Sequence, residues 1–352
     1  MAAPNLDEVN TLARKKILPG LVDNFFKNSP LLAYCKNDRL GDWKGGPQIQ
    51  ENFLYKPMKG GAFKKGAQFD ITKRQTKAGL LFDPRYYEVN VTEFTEDVEV
   101  EIRGPEAVMS IVEADLGNAA LTMSAILAIA LYRNGQNTAG GDRTAELNGL
   151  EEALSDGLAA SFGGQTFTAY GQQARVDVSP ALNTPVGLIA ANVAGPITYH
   201  VLEHSYQSCV IGEEHPVIGV TTNRCMGFIN ENFQPQQRID TLEPTIGYTG
   251  IKFKQATIIE DQYCPGVDGV NDPDLGNYLN AGGEIFTWLN PGGTGDGAYF
   301  RLWISTSPKY SFGFTGFKVA QDSTVVAGQI LFAGNFTLRA PRLMRILHGI
   351  TG

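Results

Sequence analysis

The chain divides by its pattern of apolar and polar positions before any motif is considered. Residues 1–40 carry only a thin helical pattern (Leu6, Val9, Leu12, Ala13), stopped by Pro19-Gly20, and a second short apolar group at Leu21–Phe26. Such a segment buries too little by itself, so an arm lying on something else is expected. From 41 to 92 the pattern predicts a long two-stranded excursion. Ile49–Tyr55 and Phe82–Val91 are its strands, and the turn-rich stretch Lys56–Gly66 lies between them. Val98–Ile102 alternates strictly and predicts a half-buried strand. The strongest element follows. Gly104-Pro105-Glu106 opens a helix with proline at its first position and a carboxylate in its first turn. Val108, Ile111, Val112, Leu116, Ala119, Ala120, Met123, Ile126, Leu127 and Ala130 then recur at helical spacing until Arg133-Asn134-Gly135 closes it. A helix over about 105–133 is roughly 40 Å long at 1.5 Å per residue.

Beyond it the pattern predicts a short helix at Leu147–Leu158, a Gly/aromatic turn region at Gly163–Asp177, a helix at Thr198–Ser208 and a buried strand at Val217–Thr222. A helix near Arg224–Phe233 and a strand at Ile251–Glu260 come next. Cys264–Gly297 is expected to be a long Gly-rich insertion, part of it exposed loop. Strands are expected again at Phe300–Ser305, Ser323–Leu338 and Ala340–Leu347. Strands and helices mix without regular βαβ alternation, so the fold class is α+β.

Composition adds bounds. With 352 residues, 43% hydrophobic and 19% charged, the chain is ordinary globular protein, and 40 Gly with 18 Pro favour turns over a helical bundle. The N-terminus has no apolar run of a secretory signal. The most apolar stretch, Ala119–Leu131, falls short of the ~20 residues a membrane span needs, so no membrane association is expected. The cysteines Cys35, Cys209, Cys225 and Cys264 form no CxxC pair and are expected to be reduced thiols. The sequons at Asn90 and Asn335 are read as chance matches.

Net charge is −8, against a dedicated nucleic-acid-binding domain, but the charge is unevenly spread. Trp43–Glu88 holds nine Lys/Arg against four Asp/Glu, a balance of +5, which leaves −13 on the rest of the chain. Phe53, Tyr55, Met58, Phe63 and Phe69 interleave with those lysines. Aromatics and Met are enriched at interfaces, so contact with another subunit through Lys56, Met58, Lys59, Phe63, Lys64 and Lys65 is favoured over a solvated loop, and both over nucleic-acid binding.

Catalytic patterns are sparse. His200-Val-Leu-Glu203-His204 fits the H-x-x-E-H arrangement of inverted zinc peptidases, in which two histidines one turn apart ligate zinc and the glutamate acts as base. Neither His215 nor His348 supplies a third-ligand motif, so chance spacing on a surface helix is the preferred reading. Gly292–Gly297 lacks the Lys-Ser/Thr of a phosphate loop, and Asp268, Asp272 and Asp274 form no calcium loop. No enzyme activity, cofactor or metal is expected.

The order of parts, and several local strings, resemble the HK97-type major capsid proteins of tailed double-stranded-DNA viruses. Ile102-Arg-Gly-Pro-Glu-Ala is similar to the entry of their spine helix. Leu147-Asn-Gly-Leu-Glu-Glu-Ala-Leu with Phe162-Gly-Gly-Gln-Thr resembles the stretch that follows it. Phe253–Gly266 resembles a strand and loop of the second domain, and Gly334–Arg342 a closing strand. The resemblance spans essentially the whole chain. It implies an N-terminal arm (1–40), an extended β-hairpin loop (41–92) draped over the adjacent subunit, and a peripheral domain with the spine helix (93–180). An axial domain (181–320) faces the centre of each hexamer or pentamer, and C-terminal strands (321–352) return to the peripheral domain. It also implies self-assembly, as hexamers and pentamers, into an icosahedral virion capsid built in the host cytoplasm around double-stranded DNA. Scaffolding, portal and decoration proteins are implied partners, and Arg14, Lys15 and Lys16 of the arm would face the DNA. Some relatives crosslink a lysine of this loop to an asparagine, but no motif here marks the partner. The rivals are an encapsulin-type nanocompartment of the same fold, a zinc hydrolase on His200, Glu203 and His204, and a viral tail or decoration protein.

Overall fold

The computed structural model describes residues 29–36, 39–69, 71–94, 105–138, 141–233, 241–242, 250–267, 282–319 and 324–352. Val98–Ile102 and Arg14, Lys15 and Lys16 lie outside them. Helices are α1 (Pro30–Lys36), α2 (Pro105–Ala130), α3 (Leu150–Ala153), α4 (Tyr199–Ser208) and α5 (Asn223–Phe233). The strands that build the two large sheets and the hairpin are β1 (Leu40–Trp43), β2 (Ile49–Leu54), β3 (Lys77–Phe82), β4 (Arg85–Phe94), β5 (Asn192–Gly195), β6 (Ile218–Thr221), β7 (Thr241–Leu242), β8 (Gly250–Phe253), β9 (Ala256–Glu260), β10 (Glu284–Leu289), β11 (Phe300–Ser305), β12 (Ser311–Phe314), β13 (Lys318–Val319), β14 (Val325–Leu338) and β15 (Arg345–Ile350). The architecture is mixed α+β, as the pattern implies.

The long helix forms where its period and its Pro105 start place it. Leu116, Ala119, Ala120, Met123 and Leu127 are buried, and from Leu127 to Tyr132 every side chain is. The last turn is thus immersed on all sides rather than amphipathic. Its terminal carbonyls need partners. Leu150 N–H donates to Leu131 O at 2.7 Å, and Gly149 lies so close that a Cβ would sit 2.5 Å from both Leu131 O and Arg133 O. Glycine at 149 is a requirement of this close approach.

β14 organises a six-stranded sheet. It pairs antiparallel with β4 over its whole first part (Val325↔Phe94 through Gly334↔Arg85), with β12 and β13, and at its end with β11, which carries β1 in parallel. The second sheet has seven strands in the order β7-β8-β9-β6-β10-β15-β5. Both its faces are covered. Ile218, Val220, Ile259, Ile285, Leu289 and Ile346 point into the main core with the long helix, whereas Ile258, Phe286, Trp288 and Leu347 point into a second core with Leu202, Tyr206, Cys225 and Ile229 of α4 and α5. Gly219 makes this possible: a Cβ there would meet the rings of Phe286 and Trp288 at 2.9 and 3.0 Å.

Several expectations change. Phe82–Val91 is not the return arm of the hairpin. The hairpin is β2 with β3 (Ile49↔Phe82 through Leu54↔Lys77), and β4 belongs to the six-stranded sheet. Within Cys264–Gly297 lies a strand the pattern did not single out: β10, buried at every position in the seven-stranded sheet. Ile251–Glu260 is two strands, reversed at Lys254, which takes φ 53°. The expected short helix at Leu147–Leu158 is confined to α3. The two closing strands part: β14 lies in the sheet beside the long helix, but β15 pairs with β10 and β5 in the other sheet. β11, β12 and β13, inside the 181–320 range, pair with β14 rather than with the seven-stranded sheet.

Candidate functional site

Among the described residues, the hairpin tip forms a long continuous exposed run. Its root is anchored: Ile49, Leu80 and Phe82 are buried, Phe82 packs edge-on to Tyr170 at 5.2 Å, and Leu81 N–H donates to Gly171 O at 2.9 Å. The ladder ends with Tyr55 N–H to Thr76 O at 3.0 Å. Beyond that bond the described residues of the tip have no strand pairing. One turn, Ala67 N–H to Lys64 O at 2.9 Å with Gly66 at φ 85°, shapes it.

The tip brings together the residues singled out from sequence. Met58, Lys59, Phe63, Lys64 and Lys65 are exposed and Lys56 is half-buried, its ammonium 5.1 Å over the Tyr55 ring. Phe63 and Phe69 stack edge to face at 4.9 Å but remain 66% and 67% exposed, and Met58 and Ile71 are 80% and 93% exposed. Burying such side chains is worth about 1.5–3 kcal/mol each, so a tip that leaves four of them in water has apolar surface to offer a partner. Ile71 is a contributor that the sequence pattern did not single out; its place in a turn-poor stretch beside Phe69 is the signal that could have found it.

At the root, a charge occupies an apolar slot. The inward face of β2 runs Ile49, Glu51, Phe53, and Glu51 is 4% exposed. Thr337 Oγ1 donates to Glu51 Oε1 at 3.2 Å, Arg339 Nε lies 3.6 Å from Oε2, and the Trp303 indole donates to Thr337 Oγ1 at 2.9 Å. Burial pushes the Glu51 carboxyl above the usual carboxylate range; Arg339, Arg301, Thr337 and Trp303 pull it part of the way back.

The zinc arrangement does not assemble. His200 and His204 lie on one face of α4, ring centroids 4.2 Å apart, but Glu203 is held by Lys254 Nζ and Gln207 Nε2. Among the described residues no group of three or more His, Cys, Asp or Glu is placed to hold a metal. A cavity of about 470 Å3 is lined by Thr222, Arg224, Asp261, Gln262 and Glu284. Its two acids are engaged: Asp261 by Ser29, Tyr132 and Tyr263 N–H, and Glu284 by Thr222 Oγ1 at 2.6 Å and Val267 N–H at 3.1 Å. All four cysteines are free and buried, and burial pushes the Cys35, Cys209 and Cys225 thiols up to about 12. Asn335 is fully buried, so its sequon is a chance match. No described helix is long and apolar enough to cross a membrane.

No family model matches this chain, and no curated protein matches it in sequence. Solved structures do. The capsid asymmetric unit of cyanophage A-1(L) superposes with a TM-score of 0.54 at 12% identity, covering 92% of this chain and 93% of that one. A structure from Gordonia phage Cozz gives 0.51 at 12% identity over 90% and 85%. The encapsulin complex of Synechococcus elongatus gives 0.50 at 7% identity over 99% and 91%. At such identities the likeness is one of fold: the chain has the HK97-type capsid fold along nearly its whole length.

Proposed function

We propose that this chain is a major capsid protein, a shell subunit that self-assembles as hexamers and pentamers into an icosahedral virion capsid around double-stranded DNA. The observation that carries the reading is the pairing of a whole-chain capsid fold with a tip whose apolar side chains, among the described residues, stay mostly exposed. In this reading the long helix and the six-stranded sheet form the peripheral unit, and the seven-stranded sheet with α4 and α5 forms the axial unit at the capsomer centre. The hairpin reaches across a neighbour, which supplies the face that its tip lacks. Each contact is modest, and closed symmetry makes the sum persistent. Packaged DNA is touched without sequence preference, with Arg14, Lys15 and Lys16 as inward charges. Assembly takes place in the host cytoplasm, with scaffolding, portal and decoration proteins as further partners. The protein performs no catalysis and takes no cofactor.

An encapsulin-type compartment is the second reading, favoured by the 99% coverage of this chain by the Synechococcus encapsulin fold. Electron microscopy and sedimentation of the purified protein test the shell. Closed particles, or capsomers that convert to them, are the expected result; a small oligomer that never closes, with scaffold supplied, overturns it. Nuclease-protected double-stranded DNA inside particles recovered from the native source marks a capsid, and a protein cargo marks the compartment.

A further inference from the structure

A buried carboxylate in the middle of an apolar strand face calls for a reason other than stability. Relative to a well-packed apolar pair, a buried ion pair stabilises little or nothing. What it adds is position. With Ile49 opposite Phe82, only Glu51 meets Thr337 and Arg339; a slip by one residue would present Gln50 or Asn52 and turn Ile49 and Phe53 outward. The groups that face Glu51 come from other parts of the fold: Arg301 and Trp303 from β11, Thr337 from the end of β14, Arg339 from just beyond it, and Tyr170 from the Ala169–Ala174 turn.

We propose that Glu51 is the positioning residue of the hairpin, a latch between β2 and the end of β14 that fixes how the tip leaves the body and whose hold depends on its protonation state. The inference rests on the reading of the hairpin as the segment that reaches a neighbouring copy. Thr337 and Trp303 aim the carboxylate, Arg339 sets its side, and Leu80 and Phe82 close the root beneath it.

The direction of the pH dependence follows from burial. With the root docked, Glu51 binds its proton more tightly than it would in water, because desolvation outweighs the attraction of Arg339 and Arg301. Docking is therefore firmest below the ordinary value of 4.5 and loosens as pH rises through the higher value of the docked state. Gln at 51 imitates the neutral acid and removes the dependence.

The test is hydrogen exchange of the amides of Gln50–Leu54 and Lys77–Leu81 in the full, unassembled chain, corrected for intrinsic rates, from about pH 4 to about pH 8. Wild-type protection is expected to fall as pH rises. E51Q is expected to stay protected and flat. T337V, which keeps the carboxylate but removes a donor that favours its charge, is expected to keep the slope and carry it on to higher pH. A flat wild-type profile, or a slope that survives E51Q, overturns the latch; should E51Q not fold, an unmoved T337V profile does so. The hairpin's part in assembly is read separately, from particle closure after deletion of Lys56–Lys65, so the two readings fail independently.

Discussion

Asn335 Nδ2 donates to Asn148 Oδ1 at 2.8 Å, and Asn148 N–H donates back to Asn335 Oδ1 at 3.0 Å. This reciprocal bond joins the central strand β14 to the turn that caps the long helix, across 187 residues of sequence. Asn335 Nδ2 also donates to Asp83 O at 2.7 Å, and Asn148 Nδ2 to Glu152 Oε2 at 2.8 Å, so the pair sits in a buried polar network. Such a network specifies geometry when complete and is costly when broken. Asn335→Leu would orphan Asp83 O and the Asn148 amide. The expected loss is about 3 kcal/mol, since each unsatisfied buried group costs roughly 1–3 kcal/mol, read as a lower denaturant midpoint with an unchanged slope.

Asp261 gathers the entry of the described chain, the end of the long helix and the seven-stranded sheet. Its Oδ2 accepts from Ser29 Oγ at 2.7 Å and Tyr132 OH at 3.0 Å, and its Oδ1 from Tyr263 N–H at 3.0 Å. Burial raises its carboxyl above the ordinary 3.8, and these donors lower it only in part. A raised folded-state value contributes stability in full below 3.8 and loses it as pH rises through that value. The stability difference between wild type and Asp261→Asn is therefore expected to shrink on going from acid toward neutral pH. A difference constant across that range would contradict a raised Asp261.

Deleting Lys56–Lys65, or replacing Met58 and Phe63 by Ser, is expected to leave subunit stability within about 0.5 kcal/mol, as for exposed positions generally. Shell closure should be lost. Circular dichroism with melting checks the first part, and sedimentation velocity the second. Normal particles from either variant would remove the hairpin from the assembly interface.

The four thiols should be silent toward a thiol reagent at neutral pH in the folded protein, because thiolate is the reactive form and burial suppresses it. All four should react once the chain is denatured. Fast native labelling of any one would show that its surroundings open readily.

Elements whose burial is one-sided, or whose ends carry their own chemistry, could be read from the chain's pattern alone. The long helix announces itself through Pro105 and its repeat, α4 follows Gly195-Pro196 at the expected Thr198–Ser208, and the hairpin's outgoing strand falls at Ile49–Leu54, whereas its return strand β3 was not read. The residues of the exposed tip were also legible, because a solvated loop gains nothing from aromatic side chains set among its lysines and glycines. Which strands pair and which polar groups meet depended on contacts between distant parts of the chain. β10 was hidden because a strand covered on both faces has no alternation to read, so Glu284–Leu289 passes for part of a Gly-rich loop. β8 and β9 merged because Lys254, not glycine, carries the positive φ of their turn. Glu51 was visible as a residue, but its meaning depends on Thr337 and Arg339, almost three hundred positions away. Local pattern records which side of an element is dry; it holds no record of which distant group will stand on that side.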